Sequence, residues 1–270
     1  MRSMVEIREQ RPAGSAETFG RGASAYRTGI AAFTATTAER LADRAGIRVG
    51  DLVVDLGTGP GVVAAVALAR GARCVGLDNA PGMLEEARKL VPEARWVLAS
   101  GQRLPFAAAS ADVITAAYAF ACVAPGGKLS ESLLGTLRSG GRLAFSNWVP
   151  GASANIQILR EALAEHGDPH APEPPRYPEW LFPPLEFYRE LVRSPGLLRG
   201  GAELVLHHWV LRSPYELFDS LLEINPRLQG HSPAHLERIR AATASLAERH
   251  RRGSSIYLPM QVAYGWANAA

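Results

Sequence analysis

The sequence predicts an α/β protein built on a mostly parallel sheet, and three observations carry that expectation. Between residues 52 and 148, short apolar runs alternate with stretches of helical period. The segments joining them lack the short-turn signals of hairpins, so successive strands connect through helical crossovers and lie parallel. The first apolar run then opens into a glycine-rich loop, "VVDLGTGPG" (53–61), with Gly57, Gly59 and Gly61 at alternate positions.

Taken in order, residues 1–15 are polar, break at Pro12 and Gly14, and read as a loose arm. Residues 16–45 favour helix, anchored by Phe19, Tyr26, Phe33 and Leu41, and form a helical cover over 16–46. "LVVDL" (52–56) is a buried strand, and "VVAAVALAR" (62–70) is a helix ended by Gly71. "RCVGLD" (73–78) is the second strand, followed by the helix "PGMLEEARKLV" (81–91) with Pro81 near its start. Strands three and four are "RWVLA" (95–99) and "DVITAAYA" (112–119). The helix at 129–138 closes at Gly140–Gly141, and "RLAFSNW" (142–148) is the fifth strand.

After Pro150 the texture changes. A helix, "NIQILREALAEHG", leads into the proline-rich, aromatic stretch "DPHAPEPPRYPEWLFPP" (168–184), which follows neither repeat. "AELVLHHWVL" (202–211) is again a strand, and Ser213-Pro214-Tyr215-Glu216 carries a capping-box signature. Ser232-Pro233 opens a helix over 233–251 that ends in the basic run 249–252, and "SIYLPMQVAYGW" (255–266) is the last strand. With no internal repeat and no clean linker, one domain over 16–270 with an acceptor-side insertion at 150–200 fits better than two.

The chain of 270 residues has a formal charge of only +3, with arginines scattered along it, so charge does not point to nucleic acid. Cys74 and Cys122 lie far apart in apolar runs and read as reduced core thiols of a cytoplasmic protein. The charged start has no apolar signal segment, and no run of about 20 apolar residues follows, so no membrane partner is expected.

Taken alone, the glycine loop is ambiguous. Gly59-Pro60-Gly61-Val62-Val63-Ala64 satisfies the loose dinucleotide pattern, and Asp78 lies about as far on as its ribose acid should. Yet Asp55 at the strand end would repel a pyrophosphate seated on the next helix. It would attract the ammonium and sulfonium of S-adenosyl-L-methionine.

Four motifs then match one family in order and spacing. "VVDLGTGPG" resembles the glycine loop of class I S-adenosylmethionine-dependent methyltransferases, and "VGLDNAPGMLEEAR" their second-strand acid and helix. "ASGQRLPFAAASADVI" resembles "GDAxxLPFxxxSFDVV", and "LRSGGRLAFSNW" resembles "LKPGGRLxxxxW". The chain is similar to the small-molecule branch that includes the quinone-biosynthesis C-methyltransferases. The resemblance covers about residues 50–148 and weakens towards the ends. It implies a Rossmann-like, seven-stranded sheet whose last strand is antiparallel and inserted beside strand 6, with a helical and loop lid between strands 5 and 6. It also implies S-adenosyl-L-methionine as cofactor, a small and fairly hydrophobic acceptor of specialised metabolism, and a monomer or homodimer. A nicotinamide-dependent oxidoreductase, and a methyltransferase fold that catalyses another reaction or only binds, stay open as alternatives.

The resemblance assigns roles residue by residue. Gly57, Thr58 and Gly59 would pass under the methionine part of the cofactor, where a Cβ would collide. Asp78, with Asn79 beside it, would take the ribose hydroxyls, although a helix-capping aspartate fits the same place. Met83 would pack on the adenine, although a core Met is commoner there. Ser100, Gly101 and Gln102 match the adenine-edge contacts, with Ser100 standing where the family has an acid. Ala117 and Tyr118 would border the sulfur and Tyr26 would close over the cofactor. Phe120, Ala121 and Cys122 follow where relatives carry histidines, which implies an apolar acceptor pocket. Trp148, Trp180 and Phe182 are the candidate acceptor wall.

Seven histidines raise a metal hypothesis. His166/His170 and His231/His235 are each four apart, but each pair straddles a helix boundary without an acid or cysteine cluster, so surface histidines are the expectation and no metal is predicted. His207 and His208 are adjacent on a strand and so face opposite sides; one is the candidate general base.

Overall fold

The computed structural model describes residues 15–174 and 179–270; residues 1–14 of the arm expected over 1–15, and residues 175–178 of the proline-rich stretch, lie outside them. The N-terminal helical segment is three helices, α1 (Ser15–Arg21), α2 (Ala23–Thr28) and α3 (Ile30–Ala45). It breaks at Gly22 and Gly29, where the chain passes against Ile224 and Ser220.

The alternating region forms β1 (Leu52–Leu56), α4 (Val62–Ala69), β2 (Arg73–Asp78), α5 (Pro81–Leu90), β3 (Arg95–Leu98), β4 (Ala111–Ala117), α6 (Phe120–Val123), α7 (Glu131–Thr136) and β5 (Leu137–Ser153). The insertion holds α8 (Ala154–His166) and α9 (Leu185–Leu191), and leads to β6 (Leu197–Leu211). The chain closes with α10 (Glu216–Leu221), α11 (Pro233–Glu248), β7 (Arg251–Arg252) and β8 (Ser255–Ala269).

The principal strands lie in the order β3-β2-β1-β4-β5-β8-β6, with β7 paired to β8 off that path. β1 to β5 are mutually parallel, and β8 runs antiparallel between β5 and β6. This is the predicted sheet with its inserted last strand. Two details differ. β5 runs over 17 residues, from Leu137 to Ser153, because the segment around Gly140–Gly141 stays beside β4 through an irregular register and does not close a helix. The basic run leaves the last helix at Glu248; Arg251 turns back to bond both carboxylate oxygens of Glu248 and enters β7.

Local signals account for several ends. Glu216 accepts the backbone N–H groups of Arg212 and Ser213 at 3.0 and 3.1 Å, its half of the predicted capping box. Ser232 caps α11 by accepting the N–H of His235. The sheet has an apolar core on each side. One gathers Val53, Val113, Ala144, Val262 and Trp209 under α3, α4, α8, α10 and α11. The other gathers Val54, Ile114, Phe145, Phe120 and Tyr188 under the α6–α7 and α9 segments. The strand periodicity of two divides the side chains between these cores.

Candidate cofactor and acceptor site

The C-terminal ends of β1, β2 and β4 meet at the glycine loop. Gly57 has φ +62, and a Cβ built on it would stand 2.5 Å from that of Ala119 just beyond β4, so only glycine fits. Gly59 has φ +54, and no described residue lies within 4 Å of where its Cβ would be. Among the described residues the loop is thus closed against the protein at Gly57 and open at Gly59.

Two carboxylates frame that loop. Asp78 Oδ2 accepts the Gly59 N–H and Oδ1 the Ala80 N–H, both at 2.9 Å, so the carboxylate ties the loop to the start of α5. This includes the helix-capping role weighed for it. Asp55 is 1% exposed; Thr58 Oγ1 donates to its Oδ2 at 2.6 Å and Thr115 Oγ1 to its Oδ1 at 2.7 Å. Burial raises its pKa to about 6 against the pull of both hydroxyls, with the Asp78 charge adding to the rise. A cation placed over the loop would relieve that cost.

The N-terminal helices cover the adjacent side. Tyr26, Met83, Ala23 and Ala80 form a small apolar cluster of their own. Burial, and then the nearby Asp78 carboxylate, push the Tyr26 phenol well above its ordinary range. Arg27 pairs with Glu86 on α5 at 2.5 Å. Met83 is buried beneath α2, in the core role that competed with adenine stacking. Asn79 is half-buried between Asp78 and Ala80. Ser100 is exposed and accepts the Gln102 N–H at 3.3 Å, while Gly101 is buried against Cys122. Gln102 is half-buried at the same turn.

Beyond β4 the chain turns through Tyr118, whose φ is +57 and whose N–H bonds the carbonyl of Ser146. Ala117, the last residue of β4, is half-buried beside this turn. The Tyr118 ring stacks on Trp148 at 4.2 Å, and Trp148 stacks on Phe33 of α3 at 5.4 Å. His207 presents its edge to Phe33 at 6.4 Å. A hydrogen-bonded chain runs behind these rings: the Tyr118 hydroxyl donates to Thr37 Oγ1 at 2.9 Å, and the Tyr264 hydroxyl lies 2.9 Å from His207 Nε2.

Residues 54–145 match the methyltransferase domain family. The strand order and the glycine loop with its two framing carboxylates are those expected of the class I fold. Residues 54–145 carry a methyltransferase domain of the class I fold. It is 32% identical to a demethylmenaquinone methyltransferase of Beutenbergia cavernae, over 40% of this chain and 47% of that protein. It is 33% identical to a trans-aconitate 2-methyltransferase of an Enterobacter species, over 60% of this chain and 62% of that one. The chain thus spans less than two thirds of the length of these curated relatives. Among solved structures, the [4+2]-cyclase SpnF superposes with a TM-score of 0.51 at 16% identity, covering 87% of this chain and 81% of that one, a likeness of fold.

The fold brings Asp55, Gly57, Thr58, Gly59, Asp78, Ala117 and Tyr118 to one end of the sheet, with Tyr26 packed on Met83 and Ala80 beside it. It does not bring the three candidate wall residues to one face. Trp148 lies on the α3 face, whereas its neighbour Asn147 faces the other way and donates to the carbonyl of Leu181 at 2.7 Å. Trp180, beside Leu181, sits against the turn at Gly127 on that opposite side, and Phe182 is half-buried next to it. Phe33, Thr37, Thr115 and Tyr264 are buried behind this end of the sheet, and apart from the apolar character of Phe33 no sequence pattern points to them. Of the histidine pair, His207 is half-buried on the α3 face and His208 is exposed, edge-on to Tyr257. His231 and His235 are not idle surface groups: both reach Asp168, the first by accepting its N–H at Nδ1 and the second at 3.3 Å from its carboxylate. Cys74 and Cys122 are both free and buried. Among the described residues no helix is long and apolar enough to cross a membrane.

Proposed function

We propose that the protein transfers a methyl group from S-adenosylmethionine to a small, mostly apolar acceptor of specialised metabolism, in the cytoplasm. The observation that carries this reading is the glycine loop tied at Gly59 to Asp78 and underlain by the buried Asp55. A pyrophosphate above a buried carboxylate would be repelled, whereas a sulfonium or ammonium would be attracted. The residues present therefore fit the sulfur nucleotide better than a dinucleotide.

When bound, S-adenosylmethionine supplies a methyl carbon already made electrophilic by its sulfonium. The loop from Gly57 to Gly59 would hold its methionine part, Asp78 its ribose, and the turn at 100–102 its adenine. Tyr26 and α2 would close over it, and the Tyr118 turn would border the reacting end. The chain's contribution to the reaction is then alignment and exclusion of water by the aromatic group Phe33, Trp148 and Tyr118. The relatives act by name on demethylmenaquinone and on trans-aconitate, so the apolar acceptor is read from that lining.

Mass spectrometry of nucleotide carried through purification, followed by calorimetry with S-adenosylmethionine, S-adenosylhomocysteine and NADH, tests the reading. Low-micromolar binding of the sulfur nucleotides, roughly −8 kcal/mol, is expected. Tight NADH binding without heat from either sulfur nucleotide would replace it with an oxidoreductase.

A further inference from the structure

We propose that the acceptor carries an ionisable hydroxyl, a phenol or enol, whose proton passes to Nδ1 of His207, and that Tyr264 is the positioning residue fixing the tautomer that leaves Nδ1 free to accept it. The inference rests on the methyl-transfer reading above and names the acceptor class of that same site.

The tautomer follows from counting protons. The Tyr264 hydroxyl has one hydrogen and two neighbours, the Thr37 carbonyl oxygen at 3.3 Å and His207 Nε2 at 2.9 Å. A carbonyl can only accept. Both contacts are hydrogen bonds together only if Tyr264 donates to Thr37 and His207 donates its Nε2–H to Tyr264. The lone pair of the neutral ring is then on Nδ1, which has no hydrogen-bond partner among the described residues. Thr37 is itself held in α3, where its hydroxyl donates to the Thr34 carbonyl at 2.9 Å, so the anchor of the chain is part of a helix.

The surroundings keep the ring neutral and select the acceptor. Burial, then the charges of Arg40 and His208, hold the His207 pKa below its ordinary value. The charged groups of α3 facing this part of the sheet, Arg40 and Arg44, both bond Glu203 on the same strand as His207. Among the described residues Tyr264 of β8 and Tyr118 beyond Thr37 are further titratable groups here, and burial raises both phenols. The rings of Phe33, Trp148 and Tyr118 are thus backed by uncharged groups, while the nearby arginines are committed to one carboxylate. Such a lining disfavours a carboxylate or a phosphate and suits a planar, apolar molecule, and the bare Nδ1 calls for an acceptor with a proton to lose. An uncharged hydroxyl needs to lose its proton to become a strong nucleophile. In the step inferred, the acceptor's O–H bond breaks, the new N–H forms at Nδ1, and the oxygen keeps the electron pair that methyl transfer then uses.

The test uses the full chain labelled with ¹⁵N, alone and with S-adenosylhomocysteine, and reads the histidine tautomers by long-range ¹H–¹⁵N correlation. His207 is expected to be protonated at Nε2 and bare at Nδ1, and Y264F should move that resonance pair towards a mixture while nucleotide binding persists. A wild-type ring protonated at Nδ1, or a Y264F spectrum unchanged at His207, would overturn the assignment. As a probe for the acceptor class, 4-nitrophenol is titrated by absorbance against the nucleotide-loaded protein. Its deprotonation midpoint should be lower in the wild type than in Y264F and H207A, the difference being what His207 contributes over the burial common to all three. The same midpoint in all three proteins would remove the hydroxyl acceptor. Failure of S-adenosylhomocysteine to bind at all would defeat the methyltransferase reading, a different result from either.

Discussion

The Thr115 hydroxyl donates to Asp55 Oδ1 at 2.7 Å, joining two neighbouring parallel strands near their C-terminal ends, directly beneath the glycine loop. A buried carboxylate held by two hydroxyls and no cation is costly in its charged form. Its folded-state pKa of about 6 stands above the ordinary 3.8. Between those values the folded chain binds the proton that the unfolded chain has lost. The ligand-free fold therefore loses up to about 3 kcal/mol as pH rises from about 4 through the folded pKa of about 6, levelling off by about pH 7. A cationic ligand reverses the preference, since it favours the carboxylate. The affinity for S-adenosylmethionine is expected to rise through pH 5 to 7, more steeply than that for the uncharged-sulfur product. Asp55→Asn should flatten the difference between the two. Calorimetry of both nucleotides across that range reads it, and parallel pH profiles in the wild type would detach Asp55 from the cofactor.

Asp78 makes a sharper prediction because both of its oxygens already face backbone donors, the N–H groups of Gly59 and Ala80. Asp78→Ala should weaken cofactor binding by about 1.5–3 kcal/mol, the scale of charge-assisted hydrogen bonds. Asp78→Asn should be no milder. Whichever way the amide turns, its NH₂ meets one of those N–H groups. An Asn variant with wild-type affinity would show that the loop, and not the carboxylate, carries recognition.

The parts of this site that were legible in the sequence are those fixed over short spans. Gly57, Gly59 and Asp55 sit within five residues, and Asp78 ends the next strand of the same βαβ unit, so spacing alone places them together. Long-range packing was not legible. The Tyr264 hydroxyl reaches Thr37 across 227 residues. The opposite placement of Trp148 and Trp180 depends on which face of β5 the insertion covers, a tertiary choice that Pro-rich composition does not encode. The break of the first helix into three arises likewise from its contacts with residues 220–224.

The cover over the cofactor side rests on a close approach. A Cβ on Gly82 would strike the carbonyl oxygen of Gly20, so α1 and α5 touch backbone to backbone. Gly82→Ala should stabilise α5 intrinsically by up to about 1 kcal/mol while forcing α1 away. The expected signature is a melting temperature near the wild-type value, faster hydrogen exchange over residues 15–28, and weaker nucleotide binding. In the wild type, residues 15–28 and 179–191 should gain protection when nucleotide and acceptor are added. If neither segment responds, the insertion is a static connector and the cover does not close.

The two adjacent histidines separate a catalytic role from a structural one. They share a strand, a local backbone and nearly the same distance from the cofactor loop, but His207 faces the aromatic group under α3 whereas His208 is exposed beside Tyr257. If His207 is the general base, His207→Ala should reduce turnover by about 10²–10⁴-fold, the range over which general bases act. Cofactor affinity should hardly change, because the ring lies beyond Trp148 and away from Gly59 and Asp78. His208→Ala should leave turnover near normal and serves as the control for any disturbance of β6. The pH profile adds a sign. The ring must be neutral to accept a proton, and its pKa is held below the ordinary 6.5 by burial and Arg40. The acid limb of the rate should therefore fall below pH 6.5, and Arg40→Gln should move it upward. Near-normal turnover in both histidine variants would leave alignment by Phe33, Trp148 and Tyr118 as the whole of the chain's contribution.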